Sequence, residues 1–287
     1  MKDALQITNL CKSYKKTEFS LKNVTITIPC GSIMGFVGKN GAGKSTTINA
    51  LLGIGFKDSG TVKLFGHDLD DNNIDIRNEI GVVFDNTHFS IENTPIMIEK
   101  VMKDIYNNWD SNQFYAFLER FSLPINKKVK TFSRGMMMKL SAAVALSHNA
   151  SFLILDEATA GLDPVAREEL LDILLEFVED ENHSILMSSH ISSDLERVAD
   201  YISFIHNGEI ILTESKDTLI YDYGIARMKQ DDFKNLNKSE YISSRKRGLQ
   251  MEVLIRNKKE FIRSYPNLVV DNTNIDELLA LLTKEEQ

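Results

Sequence analysis

Two cysteines in 287 residues, Cys11 and Cys30, are too few for a disulfide framework and point to a reducing compartment. No stretch approaches the roughly 18 apolar residues that a membrane-spanning helix needs. The opening "MKDALQITNLCKSYKK" has neither a long apolar core nor a small-residue cleavage pattern. A cytoplasmic protein is therefore expected, with any membrane role exercised through a partner. A basic surplus is lacking too. The net charge of -8 and pI near 5.4 argue against a general nucleic-acid binder, though not against a local basic patch. Internal repeats and low-complexity tracts are absent. What remains is ordinary globular material, 43% hydrophobic and 26% charged, enough for one large domain or one domain plus a small appendage.

The order of elements narrows the class to α/β. Residues 1–37 alternate strand-like runs ("ALQITNL", "VTITI", "SIMGFVG") with turns, and the helical pattern "KSTTINALLG" follows and stops at Gly53. A second strand-rich stretch runs from Gly60 to about Phe84. From Phe89 to Ser147 the pattern is helical, with breaks at Pro95 and Pro124. Strands and helices then alternate through "SFLILD", "PVAREELLDILLEFVEDE", "SILMSS", "SDLERVAD" and "YISFIHNGEI". Asp163 before Pro164 reads as an N-cap with proline at the first helical position. Ser193 with Glu196 reads as a capping box. Near-continuous apolar strands between helices predict a parallel sheet covered on both faces. After residue 216 the chain turns polar ("KNLNKSEYISSRKRGLQ"), with only short elements to follow ("MEVLIRN", "KKEFIRSY", "IDELLALL"). Residues 217–287 are expected to form a small α+β appendage without a chemical centre of its own.

The stretch "GKNGAGKST", residues 38–46, matches G-x-x-x-x-G-K-[ST] between a strand and a helix. Gly38, Gly41 and Gly43 let the backbone curl so that successive N–H groups face phosphate oxygens. The helix starting near Lys44 adds its positive end. Lys44 can reach the β- and γ-phosphates, and the Ser45 hydroxyl can ligate magnesium. Asn40, Ala42 and Thr46 belong to the same cradle. The strand "SFLILDE" delivers Asp156 and Glu157 to the edge of the sheet, where such folds bind ligands. Asp156 can hold magnesium, and Glu157 can orient or deprotonate the attacking water. His190 closes "SILMSSH", where a donor can contact the γ-phosphate. ATP and Mg2+ are the expected cofactors. The stretch "TFSRGMMMKL", residues 131–140, reads alone either as the start of a Met-rich helix or as a worn phosphate-binding signature.

Phosphate loop, S-x-G stretch, apolar strand ending in Asp-Glu, G-L-D turn and strand-terminal histidine occur in that order. Over about residues 5–215 they resemble the ATP-binding subunits of ABC transporters. The resemblance implies a P-loop ATPase core over 1–216, with an antiparallel β part and a helical part at about 86–148. The family signature reads L-S-G-G-Q. Ser133 and Gly135 match its second and fourth positions, whereas Phe132, Arg134 and Met136 depart from it. Ser133 and the following amides are thereby implied to bind the γ-phosphate of a second cassette, identical or different. Met137, Leu140 and Val144 fall at helical spacing and are expected in the core. Arg134 can add a charge beside the phosphates or face solvent. Tyr14 takes the place of the aromatic that stacks on adenine, and Asp163 that of the acidic residue in the turn between subunits. Where the family has a glutamine that touches magnesium, "GVVFDN" carries Asp85. A third carboxylate near Asp156 and Glu157 is costly: two like charges 4 Å apart repel by about 4 kcal/mol at an effective dielectric of 20. Asp85 is expected to offset this by ligating magnesium directly.

The implied activity is ATP-driven cassette dimerisation coupled to a separate permease, with the chain peripheral at the cytoplasmic face of the membrane. The stretch "IENTPIMIEKVMKDIYNNW", with Asp85, is the expected dock, although its apolar positions serve equally well as core. The appendage and the F-D-N variation at 84–86 resemble exporters of drugs, antibiotics and peptides, amphipathic toxins among them. The alternative is a non-transport cassette of translation or DNA maintenance. Those carry two phosphate loops in one chain or long heptad runs, and this sequence has neither. No nucleic-acid partner is expected.

Overall fold

The computed structural model describes residues 2–14, 19–69, 74–85 and 89–284. The start of the expected helical part, at 86–88, lies outside the described residues. The chain opens with β1 (Asp3–Ser13) and β2 (Ser20–Pro29), paired antiparallel. β3 (Ile33–Val37) is buried at every position and leads through the glycine-rich loop into α1 (Lys44–Leu51). β4 (Ser59–Leu64) and β5 (His67–Asp68) return to the first sheet, ordered β2-β1-β4-β5. The short α2 (Ile74–Asn78) precedes β6 (Ile80–Val83). Three helices follow: α3 (Pro95–Ile105), α4 (Ser111–Arg120) and α5 (Arg134–Leu146). Then come β7 (Phe152–Asp156), α6 (Pro164–Phe177), β8 (Ser184–Ser188), α7 (Ser192–Val198) and the hairpin of β9 (Tyr201–His206) and β10 (Glu209–Ser215).

The large sheet runs β10-β9-β3-β8-β7-β6, parallel from β9 to β6 with β10 antiparallel on its edge. β3, β7 and β8 have no solvent face and hence no polar alternation. Successive side chains in them still point to opposite faces. Phe152 and Ile154 pack with Ile48 and Leu51 of α1 and with the first sheet. Leu153 and Leu155 pack with Leu140 and Ala143 of α5 and Leu170 and Leu174 of α6. Leu140 and Val144 are buried as expected, whereas Met137 is only partly so.

Thr94 and Asp163 each cap a helix, whereas one expected capping box fails. Pro95 starts α3 rather than merely interrupting a helix, because Thr94 caps it by accepting from the Met97 N–H at 3.4 Å. Asp163 caps α6 by accepting from the Ala166 N–H at 3.0 Å, and that bond holds its carboxyl below the usual 3.8. The capping box expected from Ser193 and Glu196 does not form. α7 begins two residues earlier, after Ile191, and Glu196 instead accepts from the Ile275 N–H at 2.9 Å. A distant partner has taken the carboxylate.

Past β10 an α+β unit follows: α8 (Lys216–Tyr221), β11 (Gly224–Lys229), α9 (Gln230–Lys234), β12 (Ser243–Arg247), β13 (Gln250–Ile255), α10 (Lys258–Ser264), β14 (Val269–Asp271) and α11 (Ile275–Leu282). Its antiparallel sheet is ordered β12-β13-β11-β14. Met228, Val253 and Phe261 form its own small core. Tyr223, Ile225, Leu278 and Leu281 instead join the core that holds α6 and α7.

His148, buried just past α5, ties the helices to β6. Its ring stacks on Tyr106 with centroids 4.1 Å apart, and its nitrogens lie 3.2 Å from the Val144 and Ile80 carbonyls. Burial holds its pKa below the usual 6.5, against the pull of those carbonyls. The unfolded chain therefore takes up this proton more readily. Stability present above pH 6.5 is lost as pH falls, by at most about 1.4 kcal/mol per pH unit. Urea midpoints at about pH 7.5 and about pH 5.5 check this. Their difference is expected to shrink in His148→Gln.

Candidate active site

Four neighbouring strands, β3, β8, β7 and β6, run parallel, so the residues that follow each of them meet at one edge. After β3 comes the glycine-rich loop. Gly43, the N-cap of α1, has φ of 118°, a conformation that a side chain disfavours. A Cβ at Gly38 would stand 2.6 Å from the Ile205 carbonyl. Among the described residues no side chain caps α1, which leaves its first N–H groups for an anion. Lys44 is buried, and its Nζ donates to the Gly38 carbonyl at 2.7 Å.

β7 ends in Asp156, and Glu157 follows it. Asp156 is buried and its Oδ1 accepts from Ser188 Oγ at 2.6 Å. Glu157 has φ of 56°, in the left-handed region where a non-glycine residue is uncommon. Its N–H donates to the Ser188 carbonyl at 3.1 Å. Strain of this kind clusters at functional sites, where surrounding bonds hold it. Glu157 Oε1 lies 3.5 Å from Lys44 Nζ, and Oε2 accepts from the His190 N–H at 3.1 Å and pairs with His190 Nδ1. Lys44, Glu157 and His190 thus form one continuous polar chain. They line a cleft of about 640 Å³ together with Phe19, most of the loop from Lys39 to Thr46, Asp85, Arg134 and Ala160. That volume suits a ligand of nucleotide size.

Tyr14, Ser133, Gly135 and Asp163 do not line this cleft. Tyr14 is exposed, with Lys12 Nζ 5.3 Å from its ring centre, and among the described residues Phe19 is the phenyl ring that lines the cleft. Ser133 caps α5 by accepting from the Met136 N–H at 3.2 Å, outside the cleft lining. Gly135 lies beside Leu162, and Asp163 faces α6 as its cap. Asp85, expected on magnesium, is in an ion pair with Arg134, the first residue of α5. Ser188 went unnoticed in the sequence, although a serine at the end of an apolar strand two residues before His190 was a signal.

Among the described residues, no three His, Cys, Asp or Glu side chains converge as a metal cage. The Ser45 hydroxyl at the cleft and the Asp156 carboxylate behind it are hard oxygen donors. Such a sparse set fits magnesium, which keeps waters and shares its shell with phosphates.

Residues 21–160 match the family model described as ABC transporter. Over 215 residues the chain is 37% identical to the lantibiotic transport ATP-binding protein SrtF of Streptococcus pyogenes, across 74% of this chain and 91% of that protein. The chain belongs to the ATP-binding subunits of ABC transporters. This ABC subunit is also 34% identical over 213 residues to the bacitracin transport ATP-binding protein BcrA of Bacillus licheniformis, across 74% of this chain and 69% of that one. A solved ATP-binding subunit of an ABC transporter has the same fold, with a TM-score of 0.69 at 26% identity over 75% of this chain and 91% of that one. The ABC subunit binds ATP and is an ATPase on the expected P-loop α/β core. Among its described residues no helix is long and apolar enough to cross a membrane.

Proposed function

We propose that this ABC subunit powers export of an antibiotic or amphipathic peptide through a separate permease, a second cassette completing each ATP site. The observation that carries its catalytic half is the chain Lys44–Glu157–His190. Glu157 takes the proton from the water that attacks the γ-phosphate, its carboxylate aimed by the left-handed backbone and the His190 N–H. Lys44 and the open N–H groups of the loop stabilise charge on the β- and γ-phosphates. With Nδ1 on Glu157, the His190 ring in its imidazolium form has Nε2–H left for a γ-phosphate oxygen. Adenine stacking falls to Phe19 rather than Tyr14. Magnesium, held by Ser45 and by Asp156, would neutralise the phosphates' developing charge. Ser188 fixes the Asp156 carboxylate for it.

Ser133, Gly135 and Asp163 lie outside their own cleft, which supports their use by a facing cassette, identical or different. Ser133 heads α5, whose N-terminal end attracts an anion. For the permease, α3 offers an apolar stripe of Met97, Val101 and Ile105, exposed by 51%, 47% and 56%, while Ile98 on its other side is buried. A helix with two apolar faces has one to spare for a partner. Docking there makes the subunit peripheral to the cytoplasmic face of the membrane. The cargo class rests on relatives named for bacitracin and lantibiotic transport.

Mass spectrometry of what co-purifies from gently solubilised native membranes tests this reading. A multi-span membrane protein is expected. Ribosomal or DNA-processing factors in its place would overturn transport and leave the ATPase chemistry standing. Val101→Asp should abolish that recovery in a chain still folded by circular dichroism. Undiminished recovery would move the dock off α3.

A further inference from the structure

Asp85 follows β6 of the central sheet, whereas Arg134 opens α5 in the helical part, 49 residues further on. An arginine at the first position of a helix opposes the positive end of the helix dipole. It is a poor choice there unless an anion accompanies it, and Asp85 is that anion. Space is kept for it as well. A Cβ on Gly161, which has φ of 84°, would come within 3.0 Å of Arg134 Cδ, so the guanidinium stem lies across the turn that follows Glu157. Asp85 and Arg134 both line the cleft that holds Lys44 and Ser45. Their side chains are 40% and 54% exposed. A pair so exposed is weakly bound and screened by salt. It can therefore be exchanged, as a dry bidentate pair could not.

Resting on the reading of this cleft as an ATP site, we propose that Arg134 and the nucleotide-bound divalent cation compete for the Asp85 carboxylate. The cation brings twice the charge to the same oxygens. The triphosphate that arrives with it offers the displaced guanidinium an anionic partner in the same cleft. Loading the cleft thereby frees the first turn of α5 from β6. That turn carries Ser133 and Gly135, so the groups proposed to serve a facing cassette are released once their own chain's site is filled. Arg134 acts here through Asp85, as a positioning residue.

The test titrates Mg2+ against the fluorescence of N-methylanthraniloyl-ATP bound to the full chain, with no turnover required. Arg134→Gln is expected to lower the Mg2+ midpoint about two- to five-fold, the range in which an exposed ion pair can compete. Asp85→Asn is expected to raise the midpoint, and the double variant to match Asp85→Asn alone. An unchanged midpoint in Arg134→Gln would overturn the competition. So would an equal shift in the Asp85→Asn background, which would make Arg134 a general surface charge. If the wild-type chain binds no probe at any Mg2+ concentration, the ATP-site reading beneath the inference fails with it. If the wild type binds and only the variants disagree, that reading stands.

Discussion

Glu157→Gln is expected to slow ATP hydrolysis by about two to four powers of ten, the usual contribution of a general base, while ATP stays bound. The amide is nearly isosteric, so it can still accept from the His190 N–H that now holds Oε2 at 3.1 Å. What it loses is the negative charge 3.5 Å from Lys44 Nζ and the ability to take a proton from water. Binding and turnover should therefore separate. Phosphate release measured beside equilibrium ATP affinity shows whether they do. Near-normal turnover in the variant would remove Glu157 from the chemistry and leave its strained backbone as a purely structural feature.

Lys44→Ala should act on the other quantity. Its ammonium is buried and reaches both the Gly38 carbonyl and Glu157. Charge-assisted hydrogen bonds to phosphate are worth roughly 1.5–3 kcal/mol each, so losing the lysine is expected to weaken ATP binding about a hundredfold. AMP lacks the phosphates that Lys44 would meet, and its affinity should hardly change. Calorimetric titration with both nucleotides separates a phosphate contact from general damage to the loop. Equal losses for ATP and AMP would mean that Lys44 mainly holds the loop in shape through Gly38.

The contrast between these two residues and others explains what could be read from the sequence. Lys44, Asp156, Glu157 and His190 were legible because each ends or follows an apolar strand, and the topology of a parallel sheet brings such strand ends together without further information. Asp163 was legible because a cap acts within one turn. Glu196 was misread for the opposite reason: its local partner lost to the Ile275 backbone, 79 residues away. The pairing of Asp85 with Arg134 lay beyond reach in the same way, since nothing in either segment specifies the other. β11 and β12 escaped notice because their strands carry charge. Glu252, buried opposite β12, accepts from Arg245 at 2.6 Å and from Arg247 at 3.2 Å, so a run that looks like a polar loop is an edge strand around one carboxylate. Tyr14 shows the limit for aromatics, because the resemblance points to one ring by its place in the chain, whereas the fold sets another, Phe19, at the cleft.

The seam between α7 and α11 has a consequence for synthesis on the ribosome. Ile275, Leu278 and Leu281 share a core with Leu195 and Val198, and Ser192 Oγ donates to Asp276 at 2.7 Å. At about 5–20 residues per second, the 79 residues between Glu196 and Ile275 take on the order of ten seconds to be made. For that interval the helix directly after His190 lacks its cover, and the nascent chain shows chaperones an oily seam beside its own catalytic edge.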